Sequence, residues 1–560
     1  MIDLSPIFLT GFFFFSSTIL TLLFIINNHH IREFLKNSWK LIIFLVLLNF
    51  IFKCPLNFEF FDGLEYEDSY IYKASARSIY ENKYHISNVN PFFPTSCVFG
   101  SIDNCNHSAI FVTNFLGYPY VIYIGYSIFG YYPFIANIIS LAFSSISIIF
   151  LFICALLLIE DLLFAVTCSF VFITIPMFNI YSSTSLTEPL SNSYAILVLM
   201  LYLMFIFYPN KKRGPDAIYI IFGLLALIFT LTFAILVKTT NLSLVFCLPL
   251  ISIIYVICDK EIRDNKKIKF NLLITLPAIL LVLIFSFTIL EVLEIVDITR
   301  GDIGQDSFSL AYFKDIAPVF LKSFLNFKWH LFYFVFFLLG VFISIKNRLG
   351  LFPTIIFAFY FVLYTTHYRS YYYTRGVPVS IDEAFRYTTS MIFVYVLIVG
   401  FGIFYFLNYL KKLLKHTRFV LPFKIILFSI IVSLLFISYY FTSKNRSYFI
   451  EDEIRSRVLP VKKTMEFITN ENMTIITSEH ILFQVYGDKE LELIDFCSID
   501  VLIPTKLIDE AIKTREVIYL QTIKSDEIDR QRYSAQFEYI ESKEKEILYE
   551  EDKFKIYRLF

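Results

Sequence analysis

The residues best placed to do chemistry lie in the stretch 61–84, FDGLEYEDSYIYKASARSIYENKY, where Asp62, Glu65, Glu67 and Asp68 put four carboxylates close together. Adjacent carboxylates can take a proton from an attacking hydroxyl, hold a divalent cation or cap the following helix through its dipole. A solvated acidic turn is the plainer reading of the same residues. From Asp68 onward, Tyr72, Ala76 and Tyr80, with Ala74 and Ile79, recur at helical spacing, which predicts an amphipathic helix at a membrane surface. A second acid, Glu188, precedes Pro189 at the head of an apolar run. It suits either a helix N-terminal charge or a cavity-lining acid. Lys238 lies between two apolar runs in LVKTTNLS, where it can snorkel to headgroups or neutralise a lipid-linked phosphate. Arg369, Arg375 and Arg386 share one loop, and a guanidinium grips phosphate through two bonds where Lys offers a point charge. Arg386 with Tyr387 would equally serve as an interfacial anchor. No GxSxG, HExxH, Walker-type loop or GxGxxG stands in a supporting context, which argues against a P-loop pump and a zinc protease.

These residues must be positioned by a greasy chain. Its 560 residues are 57% hydrophobic and 17% charged, with a mean hydropathy of +0.65. Soluble domains average about 45–50% apolar and about 25% charged, so much of the chain belongs in lipid. A formal net charge of +0 gives no electrostatic case for nucleic acid. Apolar runs predict about twelve spans. Their cores are 7–26, 41–52, 134–159, 163–178, 190–207, 217–236, 242–258, 272–290, 331–345, 351–364, 391–407 and 421–440. The first lacks a basic leader and is expected to be a retained span. One set of loops carries about 18 Lys/Arg over roughly 56 residues, the other about 11 over roughly 157, so the first set is expected in the cytoplasm. Both termini then lie outside.

The outer face gathers the polar mass. It includes a first loop of about 53–133, two further long loops at 291–328 and 367–387, and a tail from about 442. Loops of such length are usually functional or disordered, and their aromatic content favours order. Cys97 and Cys105 share the first loop and are close enough in sequence to bridge if that side is oxidising. From Phe441 onward there are 18 Lys/Arg against 24 Asp/Glu. The tail reads as a small α/β domain: MTIIT, LELID and EVIYL as strands, SEHILFQVYG and PTKLIDEAIK as helices. FEYIES with EILYEEDKFKIYRL reads as a closing hairpin.

In order along the chain, five segments resemble the motifs of GT-C membrane glycosyltransferases. EDSYIYKASARSIYENKY is similar to the acidic-pair motif of that family's first external loop, with Glu67-Asp68 in reversed order. FLGYPYVIYIGYSIFG, STSLTEPLSNSYAILVLMLYL, FGLLALIFTLTFAILVKTTNLSLVFCLPLI and DEAFRYTTSMIFVYVLIVG resemble its later segments. The branch of protein-mannosyltransferases and lipid A aminoarabinose transferases is the one the chain most resembles, and the lack of a WWDYG motif disfavours an oligosaccharyltransferase. An apparent extra span precedes the acidic loop.

The resemblance implies an α-helical multi-span membrane protein with a GT-C domain at 1–441 and a small extracytoplasmic α/β domain at 442–560. It implies transfer of a sugar from a polyprenyl-phosphate donor to an acceptor hydroxyl on a glycan, lipid or protein, with inversion, at the outer face of a bacterial plasma membrane. Asp68 or Glu67 would be the base; Arg386, Lys238 and Arg375 would bind the donor phosphate; Glu188, Tyr70, Tyr387 and Asp62 would line the cavity. The resemblance fixes no cofactor, though Glu67 and Asp68 could hold a divalent metal. The rival classes are a transporter or flippase and a receptor acting through its tail. Against a transporter stand the absence of a visible internal repeat and the clustering of ionisable residues at one face.

Overall fold

The computed structural model describes residues 6–61, 67–80, 117–207, 217–258, 264–292, 310–346, 350–366, 388–414, 420–450 and 455–468. In the tail it describes 473–477, 483, 485–486, 492–495, 508–509, 511–514, 516–522, 534–551 and 554–560. The helices begin with α1 (Pro6–Asn27), α2 (His29–Phe61), α3 (Glu67–Tyr80), α4 (Gly117–Phe129), α5 (Ile135–Ile159), α6 (Leu162–Thr174) and α7 (Pro176–Tyr181). They continue with α8 (Glu188–Phe207), α9 (Ala217–Val237), α10 (Leu242–Cys258), α11 (Lys266–Val292), α12 (Leu310–Leu325), the single turn α13 (Phe327–His330) and α14 (Tyr333–Lys346). Then come α15 (Leu351–Thr366), α16 (Ile392–Leu414), α17 (Val420–Ile450), α18 (Arg455–Glu466) and, late in the tail, α19 (Ser534–Glu541).

Every one of the twelve apolar runs falls on helix, and the protein is an α-helical multi-span membrane protein. Among the described residues, six helices are long and apolar enough to cross a bilayer: Phe8–Asn27, His29–Lys53, Ile135–Ile159, Glu188–Phe207, Tyr219–Val237 and Ile392–Leu413. Five shorter apolar helices accompany them. The run at 163–178 differs from expectation in being two helices. The chain leaves α6 at Ile175 in an extended conformation, because Pro176 disfavours helical geometry in the residue before it and then opens α7.

The chain divides into two compact units. The first comprises Met1–Leu56, Phe115–Tyr118 and Ser140–Asn445; the second comprises Asn57–Asn114, Pro119–Ile139 and Arg446–Phe560. The second unit thus groups most of the first loop with the tail.

In the first unit, α1 is built inside out relative to a soluble helix. Phe8, Phe12, Phe15 and Ile19 form an exposed stripe, while Thr10, Ser17 and Thr21 are buried on another face. Lipid explains the stripe, and small hydroxyl residues let neighbouring helices approach; Thr21 and Thr230 meet at 3.3 Å. Helix α8 is buried from Glu188 to Ile206 without interruption, which makes it the central helix of this unit. Helices α14 and α16 cross closely through glycines. A Cβ on Gly340 would lie 1.9 Å from the Ile398 carbonyl oxygen, and one on Gly402 would lie 2.0 Å from that of Phe336.

The second unit holds a five-stranded sheet. Its strands are β1 (Met473–Thr477), β2 (Glu492–Asp495), β3 (Glu516–Thr522), β4 (Lys545–Glu551) and β5 (Phe554–Leu559), in the order β2-β1-β3-β5-β4. β1 pairs in parallel with β2 and β3, while β3–β5 and β4–β5 are antiparallel. The three expected strands and the closing EILY/KIYRL hairpin are present, but FEYIES is helix α19. Ile540 is buried and Glu538 and Glu541 are exposed, a helical distribution rather than an alternating one. One face of the sheet packs Met473, Ile475, Ile518, Leu520, Phe554 and Ile556 with Val458 and Val461 of α18 and with Tyr70 and Ala74 of α3.

Candidate active site

The most developed polar constellation in the first unit surrounds the N-terminus of α8. Glu188 opens that helix, with Pro189 behind it in the first turn, where its missing N–H costs nothing. Lys238 follows the last residue of α9. Its Nζ donates to Glu188 Oε1 at 3.0 Å and to Ser390 Oγ at 2.8 Å. The Glu188 side chain is 0% exposed and that of Lys238 17%. A buried carboxylate needs such a partner, since an uncompensated charge there would be costly.

One turn along α8, Asn192 Nδ2 donates to the Thr389 carbonyl at 2.9 Å. Asn241, in the short 3-10 turn after Lys238, donates to Ser191 Oγ at 3.0 Å and accepts from the Tyr360 hydroxyl at 3.0 Å. Five pieces of chain are thus joined: the first turn of α8, the end of α9, the start of α10, α15 and residues 388–390 ahead of α16. The last of these follows directly on Arg386 and Tyr387 in the sequence.

Of the expected site residues, the structure brings Glu188 and Lys238 together. Lys238 has its charge matched by Glu188, so as a pair they are neutral and do not form a free cationic patch. Tyr70 is 3% exposed and sits in the core of the second unit, its ring 6.2 Å from that of Tyr486. Glu67 and Asp68 form the first turn of α3. Asp62, Arg375, Arg386 and Tyr387, together with Arg369, Cys97 and Cys105, lie outside the described residues. Among the described residues no group of three His, Cys, Asp or Glu is placed to hold a metal ion.

Sequence reasoning missed a second buried polar seam. Lys53, taken as the start of a loop, lies inside α2 and is fully buried. Its Nζ donates to Ser144 Oγ at 2.7 Å and lies 4.6 Å from the centre of the Phe178 ring, while Asn49 Nδ2 donates to Ser145 Oγ at 3.0 Å. The available signal was the spacing: Asn49 and Lys53 are one helical turn apart, as two polar residues facing one neighbour should be.

No protein-family profile matches this chain, and no curated protein sequence does. Solved structures do. The crystal structure of ArnT from Cupriavidus metallidurans bound to undecaprenyl phosphate superposes with a TM-score of 0.56 at 11% identity, over 93% of this chain and 98% of that one. The archaeal oligosaccharyltransferase AglB from Archaeoglobus fulgidus, in complex with an inhibitory peptide and a dolichol-phosphate, superposes with a TM-score of 0.52 at 13% identity. That match covers 93% of this chain and 74% of AglB. Both neighbours are GT-C glycosyltransferases. At such identities the shared property is the fold, and it extends over nearly the whole of this chain.

Proposed function

We propose that this GT-C-fold membrane protein is a glycosyltransferase that moves a sugar from a polyprenyl-phosphate carrier to an acceptor hydroxyl. The observation that carries the reading is the near end-to-end likeness to ArnT, a structure that holds undecaprenyl phosphate. AglB, likewise similar in fold, holds a dolichol-phosphate. The order of the acidic loop, Glu188, Lys238 and Arg386 along the sequence supports the same assignment.

In this reading the acceptor hydroxyl, on a glycan, lipid or protein, loses its proton to Asp68 or Glu67. The oxygen forms a bond to the anomeric carbon as the bond from that carbon to the phosphate oxygen breaks. Polyprenyl phosphate leaves from the opposite face, which inverts the anomeric centre. Charge develops on the leaving phosphate, and fixed cations aimed at it lower the barrier. Arg386 and Arg375 are assigned to that task. Lys238, paired with Glu188 and holding Ser390, is assigned chiefly to positioning the segment after Arg386. Glu67 and Asp68 are oxygen donors of the kind a divalent cation accepts, and such an ion would add positive charge at the phosphate. The excess of Lys and Arg in one set of loops supports a site on the extracytoplasmic side, and the membrane assigned to it is a bacterial plasma membrane.

The test is single replacement of Glu67 by Gln and Asp68 by Asn, with sugar transfer measured from a polyprenyl-phosphate donor. Loss of a general base costs about 10²–10⁴-fold, so one variant should fall by that much. Undiminished transfer by both would remove the base from this loop.

A further inference from the structure

Helix α3 is buried on every side from Ser69 to Ala76, and part of it enters the core of the tail domain. Tyr70 and Ala74 belong to the same hydrophobic core as Val458, Val461, Met473, Ile475 and the strands of the sheet. Arg77, one turn further, places its guanidinium carbon 4.6 Å from the centre of the Tyr131 ring. Tyr131 in turn donates its hydroxyl to the Val485 carbonyl of the tail. Tyr80 stacks on the same ring at 6.4 Å and Tyr126 meets it edge-on at 4.9 Å. Residues 70, 74 and 77 stand at i, i+4 and i+7, so a single face of α3 makes all these attachments.

A helix packed in this way has its rotation fixed. We propose that the tail domain is a positioning module for the acidic pair: through Tyr70, Ala74, Arg77 and Tyr131 it fixes the rotation of α3, the helix whose first turn carries Glu67 and Asp68. Tyr131 and Arg77 are then positioning residues for the transfer. This rests on the proposed glycosyl transfer, but the anchoring has its own readout.

The experiment compares Tyr131→Leu and Arg77→Leu with Tyr131→Phe and Arg77→Lys in the full-length protein. Two quantities are read: kcat and KM for a polyprenyl-phosphate sugar, and amide hydrogen exchange over residues 67–80. In the Leu variants kcat should fall about tenfold or more, since small misplacements of a reacting group are costly, while KM for the donor holds. Exchange in α3 should quicken while α8 is unchanged. Arg77→Lys, which keeps the cation, should restore most of the activity, whereas Tyr131→Phe, which loses the hydroxyl bond to the Val485 carbonyl, should stay below the unmodified protein. Ordinary kcat and ordinary exchange in both Leu variants would overturn the proposal, as would activity lost only in step with folded protein. Quickened exchange in α3, in a protein that transfers no sugar even unmodified, would uphold the anchoring and overturn the transferase reading instead.

Discussion

Lys238 Nζ stands 3.0 Å from Glu188 Oε1, and the carboxylate of that pair is completely buried. The two residues are fifty positions apart and join α8 to the end of α9. Replacing Lys238 by Met leaves the carboxylate without its cation and should cost about 3 kcal/mol, the usual order for half of a buried pair. Glu188→Gln together with Lys238→Met should recover much of that loss. Thermal unfolding of the detergent-purified variants checks it, and a double variant no more stable than Lys238→Met alone would contradict the pairing.

The crossing of α14 and α16 depends on the absence of two side chains. A methyl at Gly340 or Gly402 would run into backbone oxygen, which cannot swing aside. Alanine at either position should force the helices apart at a cost of about 1–3 kcal/mol. A melting temperature unchanged in both variants would show that the helices do not meet this closely.

In the tail, Asp509 accepts from Lys543 Nζ at 2.6 Å and from the Tyr539 hydroxyl, and these bonds hold its carboxyl below the ordinary value of 3.8. A lowered folded-state pKa contributes stability at pH values above the unfolded one, and that stability disappears as pH falls through the folded one. Asp509 is 47% exposed, so solvent screening leaves a few tenths of a kcal/mol. Asp509→Asn should therefore melt slightly earlier than the unmodified protein at pH 7, with the gap closing toward pH 2. A gap that widens in acid would reverse the sign of the interaction.

Orientation can be tested without any assay of chemistry. A protease-cleavable tag inserted beside Lys212 should be cut only from the cytoplasmic side, and one placed after Phe560 only from outside. Cleavage of both from the same side would overturn the reading of the loop charges.

Much of the architecture could be read from residue order. Long apolar runs have few alternatives to helix in lipid, and strands such as MTIIT and EVIYL are short β-rich segments bounded by polar chain. The break at Ile175 was masked because Pro176 sits inside an otherwise unbroken apolar run. FEYIES reads as a strand by composition, yet its buried and exposed residues follow a helical turn. The pairing of Glu188 with Lys238 was beyond sequence reasoning for a different reason: each residue has a sufficient local role at a helix end, and only the fold joins them. The same holds for Tyr70, expected to line a cavity and found in the core shared with the tail. A linear division of the chain separates residues that the second unit brings together.

The most direct measurement of the central claim is sugar transfer by the purified protein, using a series of polyprenyl-phosphate sugars with water-soluble nucleotide sugars as controls. At least one lipid-linked donor should be consumed, with release of the polyprenyl phosphate, and that donor should raise the melting temperature of the protein. The nucleotide sugars should do neither. Turnover of a nucleotide sugar, or indifference to every lipid-linked donor, would contradict the account.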